Sequence, residues 1–371
     1  MKRDCAKWNH YPEGVLPLWV AEMDLTVAPA IRQALKAHID TDDFGYPTKA
    51  GAPGMCEALC ERLATRYGLQ INADGVMNMS STVAGINLGA RAFAEQGDEV
   101  LLLTPLYPPF KRSLELTGRV PVEVEMVDDG NGYAIDFEAL QAAVTPRTRM
   151  IMLCNPHNPV GRVYTRDELQ GLAAFAVRND LMVISDELHA DLTLDGQHVA
   201  LASLGDEIAA RTVTLYGPTK AFNIPGLNIS FALATDPELL ARMQTAAQGL
   251  LGGPNRLAQV ATLAAYTEGG AWLQGTLDLL RSNREQLLDF VAAKLPAVKV
   301  HRPQGTYLAW LDLRATDLGD EPAKELVERA KVGFNEGADF GRGGSGFVRL
   351  NFATSPEILG QALERLQTAI G

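Results

Sequence analysis

Between Glu99 and Tyr216 the chain alternates short apolar runs with amphipathic ones, and no other feature limits its fold as tightly. EVLLLTPLY reads as a buried strand, PFKRSLELTG as a helix and VPVEVEMV as an alternating strand. After the turn DDGNG come a helix (DFEALQAAV), a strand (RMIMLCN), a strongly amphipathic helix (TRDELQGLAAFAVRND) and two more strands, LMVISDE and TVTLYG. Strands joined through helices pair in parallel, with the helices packed over the sheet. The expected fold is α/β with a mostly parallel sheet. No self-similar period is visible, so a repeat architecture is not expected.

The flanks read differently. Residues 1–27 are irregular, with VLPLWVAEMDL as an apolar stretch ending in acidic residues. Pro29 opens a helix, APAIRQALKAHI, and the Gly/Pro-rich FGYPTKAGAPG (44–54) is a loop. MCEALCERLATRYGL is a helix closed by Gly68, and STVAGINLGARAFAEQGD a small-residue turn followed by an apolar helix. After about residue 250 the break LGGPN (251–255) leads into long helices, a strand–turn–strand unit (VKVHRPQGTYLAWLDL), a helix, a Gly-rich loop, the strand GFVRLNFA and a last helix. These features describe a smaller α+β domain. The expected organisation is a large domain over 41–255, a small domain over 256–371 and an N-terminal segment, 1–40, packed on the small domain. No flexible linker divides them, so they share an interface, where small-molecule sites tend to lie.

At 371 residues the chain is long enough for more than one core at roughly 150 residues per domain. A net charge of −12 argues against nucleic acid or an anionic membrane as a partner. No uncharged apolar run approaches the ~20 residues of a membrane helix, and MKRDCAKWNH lacks the apolar segment of a signal peptide. The cysteines, Cys5, Cys56, Cys60 and Cys154, form no CxxC pair. Cys56 and Cys60 share a helix without nearby histidines, so no metal site is expected, and the thiols read as reduced ones in a cytoplasmic protein.

In a parallel sheet, ligands sit beyond the C-terminal ends of the strands. Asn158, in NPHNPVGR, follows the strand ending at Cys154; Asp186 closes LMVIS; Lys220 follows TVTLY after Gly217-Pro218 breaks the strand. A lysine at a strand exit among apolar and small residues suggests a desolvated amine, fit to be a nucleophile or to form a Schiff base. Ser80-Ser81-Thr82 opens a helix whose free N–H groups make an anion site, and Tyr107 adds an aromatic face. Taken singly, each has an ordinary explanation: a surface lysine, a capping aspartate, a capping serine, a core tyrosine. Taken together at equivalent strand ends, they are what pyridoxal phosphate requires.

With these residues in view, the chain resembles fold-type I pyridoxal-phosphate enzymes of the class I/II aminotransferase superfamily. The likeness is greatest to the cystathionine β-lyase (MalY/PatB-like C–S lyase) branch. It rests on KW, LPLWVAEMDL, FGYP, TPLYPPF, CNPHNPVGR, SDELHADL, PTKAFNIPGL, QGTYLAWLDL and FGRGGSGFVRLNFA, which span nearly the whole chain. The resemblance implies a large domain with a seven-stranded-type sheet and pyridoxal 5'-phosphate as cofactor. It implies Lys220 as the Schiff-base lysine, Asp186 as partner of the pyridine nitrogen, Asn158 on the phenolic oxygen and Tyr107 stacked on the ring. Ser81, Thr82 and Val83 stand in the phosphate cradle, where the branch commonly reads G-V-V, and Thr219 stands where serine is common. Tyr46, in FGYP, matches a catalytic-site tyrosine that reaches the phosphate of the neighbouring subunit, which implies a homodimer with shared active sites. Arg349 matches the clamp on the substrate α-carboxylate, and Asn158 borders the substrate as well. His189 falls three after Asp186, where related enzymes often carry a tyrosine near the phenolic oxygen; its role stays open. His157 reads as a loop residue. Asn228 replaces an arginine that many aminotransferases place on the phosphate and that lyases of this branch also lack.

The implied reaction starts with removal of the Cα proton by Lys220. If Cβ carries a thiolate leaving group, elimination yields pyruvate and ammonia, a β-lyase acting on a sulfur-containing amino acid such as cystathionine. If it does not, reprotonation at the cofactor gives transamination. The same residues serve both outcomes. No second arginine is evident for a distal carboxylate, which weighs against an aspartate aminotransferase. A regulator built on the same fold is a third reading, opposed by the complete residue set and by the acidic chain without a DNA-binding segment.

Overall fold

The computed structural model describes residues 4–47, 51–130, 132–252 and 254–370. The loop expected at 44–54, the turn at 128–132 and the break at 251–255 each include residues outside this set.

Seven strands form the main sheet: β1 (Val76–Met79), β2 (Glu99–Thr104), β3 (Val120–Glu125), β4 (Thr148–Cys154), β5 (Met182–Asp186), β6 (Thr212–Tyr216) and β7 (Ser230–Leu233). Their order is β1-β7-β6-β5-β4-β2-β3. Every pairing is parallel except those of β7, which runs antiparallel to both β6 and β1. The mixed α/β fold expected from the alternation is the one observed. Strands β2 and β6 are buried at every position, as strands covered on both faces must be. Period-two alternation divides the side chains of the sheet's central strands between two cores. Val100, Leu102, Met152 and Leu215 share one face, and Leu101, Leu103, Ile151 and Val183 the other.

The helix Thr82–Phe93 covers the first face and comes unusually close to it. A Cβ on Gly85 would stand 2.5 Å from Leu215 Cδ2, and one on Gly89 2.5 Å from Ile184 Cδ1. Glycine at these two positions lets the helix backbone lie directly on β5 and β6. On the other face the helix Arg166–Arg178 starts with a capping box of Thr165 and Glu168.

A second, antiparallel sheet has the order β8-β9-β11-β10, with β8 (Lys299–Val300), β9 (Leu308–Asp312), β10 (Asn335–Glu336) and β11 (Phe347–Asn351). The N-terminal stretch is less irregular than its composition suggests: Leu16–Pro17 pairs in parallel with Val332–Gly333. Leu18, Met23, Ala28 and Ile31 share a core with Leu311, Val348, Leu350 and Leu363. Among the described residues no helix is long and apolar enough to cross a membrane.

Candidate active site

Three adjacent parallel strands, β4, β5 and β6, end at one edge and deliver the residues read as functional. Asn158 follows β4 by four positions, Asp186 is the last residue of β5, and Lys220 follows β6 by four. All three line one cavity of about 200 Å³. Thr82, Tyr107, His189 and Arg349 line it too. The helix Thr82–Phe93 therefore points its N-terminus at the cavity, and β11 brings Arg349 in from the second sheet.

Lys220 Nζ donates to the Ala21 carbonyl at 2.8 Å, and the Tyr307 hydroxyl donates to the same oxygen at 2.9 Å. Burial lowers the amine to about 8, aided by the nearby Arg349 cation and opposed by Asp186. Asp186 is buried, and one of its oxygens accepts the Leu188 N–H at 3.1 Å. Burial lifts its carboxyl to about 7, against the pull of that N–H and of Lys220. Arg349 Nη1 donates to Asn158 Oδ1 at 2.9 Å, and Nη2 to the Trp19 carbonyl at 3.0 Å and Asn335 Oδ1 at 2.6 Å. Its Nε is buried with no hydrogen-bond partner among the described residues, as is Nδ1 of His189. His189 is neutral, since burial first and then Lys220 and Arg349 push its imidazole down to about 3.

Residues 13–366 match the family described as aminotransferase class I and II. The chain belongs to the class I and II aminotransferase family. Among curated relatives, cystathionine beta-lyase PatB of Bacillus subtilis (strain 168) is 36% identical over 373 residues, covering 98% of this chain and 96% of the relative. Among solved structures, that of OvoB superposes with a TM-score of 0.95 at 36% identity, covering 100% of this chain and 97% of that one. Cystalysin from Treponema denticola, whose structure contains a pyridoxal 5'-phosphate cofactor, gives a TM-score of 0.93 at 31% identity, covering 99% and 95%. The sheet order and these neighbours place this aminotransferase-family chain in the fold-type I group.

Not every residue read as functional reaches the cavity of this family member. Ser81 is the N-cap of the helix Thr82–Phe93, its hydroxyl accepting the Ala84 N–H at 3.1 Å, and neither it nor Val83 is among the residues lining the cavity. Thr219 is buried beside Lys220 but off the cavity wall. Tyr46 is fully exposed and stands apart from the cavity. His157 is buried between the Pro105 carbonyl (2.8 Å) and the Tyr164 hydroxyl (3.0 Å), which makes it a packing residue. Asn228 is an exposed residue with φ +53°.

The sequence assigns no role to the other wall residues, although three of them lie in the motif LPLWVAEMDL. Trp19, Val20 and Ala21 come from the N-terminal stretch, Asn335 from β10. Only WVAE's place inside an apolar run ending in acids set it apart, and that pattern does not tell a wall from a core. Ala21 contributes only its carbonyl, which no residue-type argument can find.

Proposed function

We propose that this chain is a pyridoxal-phosphate-dependent carbon–sulfur β-lyase, cleaving cysteine S-conjugates such as cystathionine to a thiol, pyruvate and ammonia. One arrangement carries the reading: a buried carboxyl, Asp186, and a lysine amine of lowered basicity, Lys220, at neighbouring strand ends of one cavity.

The residues fit the cofactor. Asp186 is a buried carboxylate that forms no ion pair among the described residues, so a protonated ring nitrogen would give it the partner it lacks. Tyr107 offers a ring face, Asn158 a donor for the phenolic oxygen, and the N–H groups at Thr82 an anion site, with Ser81, Val83 and Thr219 close by. His189 turns a neutral imidazole toward the same cavity. Pyridoxal phosphate, when bound, supplies an aldehyde carbon for the Lys220 amine and a pyridinium ring that takes up the electron pair left at Cα.

Arg349 binds the substrate α-carboxylate, its guanidinium being already aligned by Asn158, Asn335 and the Trp19 carbonyl. That grip fixes the Cα–H bond relative to Lys220, whose free amine takes the proton as general base. A thiolate is a good leaving group because its conjugate thiol has a pKa of only ~8.5. Trp19, Val20 and Leu188 give the cavity apolar walls, and Arg349 is the one guanidinium among its lining residues. These walls suit a thioether better than a second carboxylate.

We further infer a homodimer, in which the exposed Tyr46 reaches the partner's phosphate site, and a cytoplasmic enzyme, in keeping with its free cysteines and acidic charge. The deciding assay is pyruvate release from L-cystathionine by the cofactor-loaded enzyme with no keto acid present. Sustained turnover is expected. No pyruvate, with the cofactor visibly bound and turnover appearing once a keto acid is added, would assign transamination instead.

A further inference from the structure

The motifs KW and WVAEMD clasp one another. Lys7 is fully buried, and its Nζ donates to Asp24 Oδ2 at 2.8 Å and to the Glu22 carbonyl at 3.0 Å. Trp8 Nε1 donates to the other oxygen of Asp24 at 2.8 Å. In return, Trp19 Nε1 donates to the Lys7 carbonyl at 3.1 Å. Residues 19–24 are thus strapped to the short helix Ala6–Asn9.

The opposite side of the strap is held from next to the catalytic groups. Asn351, two residues after Arg349, donates through Nδ2 to the Val20 and Glu22 carbonyls, both at 2.7 Å. Asn223, three residues after Lys220, donates to the Met23 and Leu25 carbonyls at 2.9 Å and accepts the Met23 N–H at 3.0 Å. Two carbonyls of the strap turn into the site. That of Trp19 accepts Arg349 Nη2 at 3.0 Å, and that of Ala21 accepts Lys220 Nζ at 2.8 Å.

We propose that Lys7 is a positioning residue for Lys220 and Arg349: its buried pair with Asp24 fixes the strap so that the Ala21 and Trp19 carbonyls meet the two cations. Backbone hydrogen bonds to the rest of the chain tie the segment at Leu18 and through the Asp24 N–H, which donates to the Ala353 carbonyl at 2.9 Å, so the register of the carbonyls between them depends on such side-chain ties. A buried ion pair suits that task, because slippage would strand a charge away from water. The proposal rests on the functional reading above, in which Lys220 carries the cofactor.

Lys7→Met keeps the buried stem and removes the ammonium. In the cofactor-free variant, labelling of Lys220 by trinitrobenzenesulfonate, followed by peptide mass mapping, should speed up about 10-fold, the scale of one lost hydrogen bond to a charged group. In the loaded enzyme KM should rise by about the same factor, with kcat less affected, and the pH midpoint of the cofactor absorbance should move by ~0.5 or more. Lys7→Arg, which keeps the charge, should recover most of each effect. If Lys7→Met does not accumulate, Trp8→Phe removes one donor to Asp24 and should shift the same readouts in the same direction by about 3-fold. A purely structural Lys7 would lower Tm yet leave labelling rate, KM and midpoint at their wild-type values, and that result overturns the proposal. Should the wild-type protein take up no pyridoxal phosphate, the functional reading fails, while the labelling comparison still decides the role of the strap.

Discussion

Lys220 and Arg349 face one cavity as two cations, and each is held by neutral acceptors rather than by a carboxylate. Their mutual repulsion is one of the reasons the Lys220 amine loses its proton easily. An incoming α-carboxylate would pair with Arg349 and relieve that repulsion. On the function proposed above, the amine would then become more basic as the substrate settles, when a general base is needed.

Replacing Arg349 by lysine keeps the charge but loses the fork that spans Asn158, Asn335 and the Trp19 carbonyl. Arg349→Lys should lower kcat/KM by about 10²–10³-fold, mostly through KM, since a charged hydrogen bond is worth roughly 1.5–3 kcal/mol and more than one is lost. Steady-state kinetics on L-cystathionine checks this. A variant with wild-type KM would remove Arg349 from the substrate site.

Asp186 makes the cofactor-free protein sensitive to pH in a defined direction. The folded carboxyl titrates near 7, against 3.8 ordinarily, so between those values the folded chain keeps a proton that the unfolded chain has released. The stability due to this group is full below about 4 and is lost as pH rises through about 7. Asp186→Asn cancels the effect. Without cofactor, the variant should match the wild type near pH 4 and exceed it at pH 8, by ~4 kcal/mol at most. Denaturant unfolding at the two pH values measures the difference. With cofactor the order should reverse, because asparagine cannot balance a protonated ring nitrogen.

The legibility of this chain follows the physics of each part. Strands β2, β4, β5 and β6 are buried on both faces, so their apolar runs stand out, and the residues at their ends could be ordered before any coordinates were known. Strands β1 (VMNM) and β7 (SFAL) are four residues long and too short to show a period, and β7 runs antiparallel to β6 after the irregular connection 217–229, whose composition does not fix its direction. That Lys220, Asp186, Asn158 and Arg349 meet at one cavity was legible because each sits in a dense local motif. The strap of residues 19–24 was not, because it acts through carbonyls, and a carbonyl looks the same on every residue. Nor does spacing distinguish Ser81, whose hydroxyl caps a helix, from Thr82, which borders the cavity.

Gly85 tests how the helix Thr82–Phe93 is seated. A methyl group there meets Leu215 Cδ2 at 2.5 Å, so the helix must lift from β6 or Leu215 must leave its rotamer. Gly85→Ala should cost about 1–3 kcal/mol from overpacking, less the ~1 kcal/mol that alanine gains in a helix interior. Because the N-terminus of the same helix faces the cavity, pyridoxal-phosphate affinity should weaken in parallel. Equilibrium unfolding and cofactor titration of one preparation measure both. Lost stability with unchanged affinity would detach the helix N-terminus from the cofactor site.

Tyr46 decides whether the active site is shared between two chains. Its side chain is fully exposed in the single chain, so Tyr46→Ala should change the stability of one subunit by no more than ~0.5 kcal/mol. Activity should nevertheless collapse if the hydroxyl completes the partner's phosphate site. Mixing then gives a sharper result. Lys220→Ala is inactive but retains Tyr46, and Tyr46→Ala retains Lys220. After reversible dissociation of an equal mixture, about half the dimers are hybrids, each with one site that combines the intact Lys220 of one chain with the intact Tyr46 of the other. Activity should return to roughly one quarter of the wild-type value, as random pairing of a two-fold dimer requires. A site built from one chain alone gains nothing from mixing, and an inactive mixture that had been shown to exchange subunits would rule out the shared site.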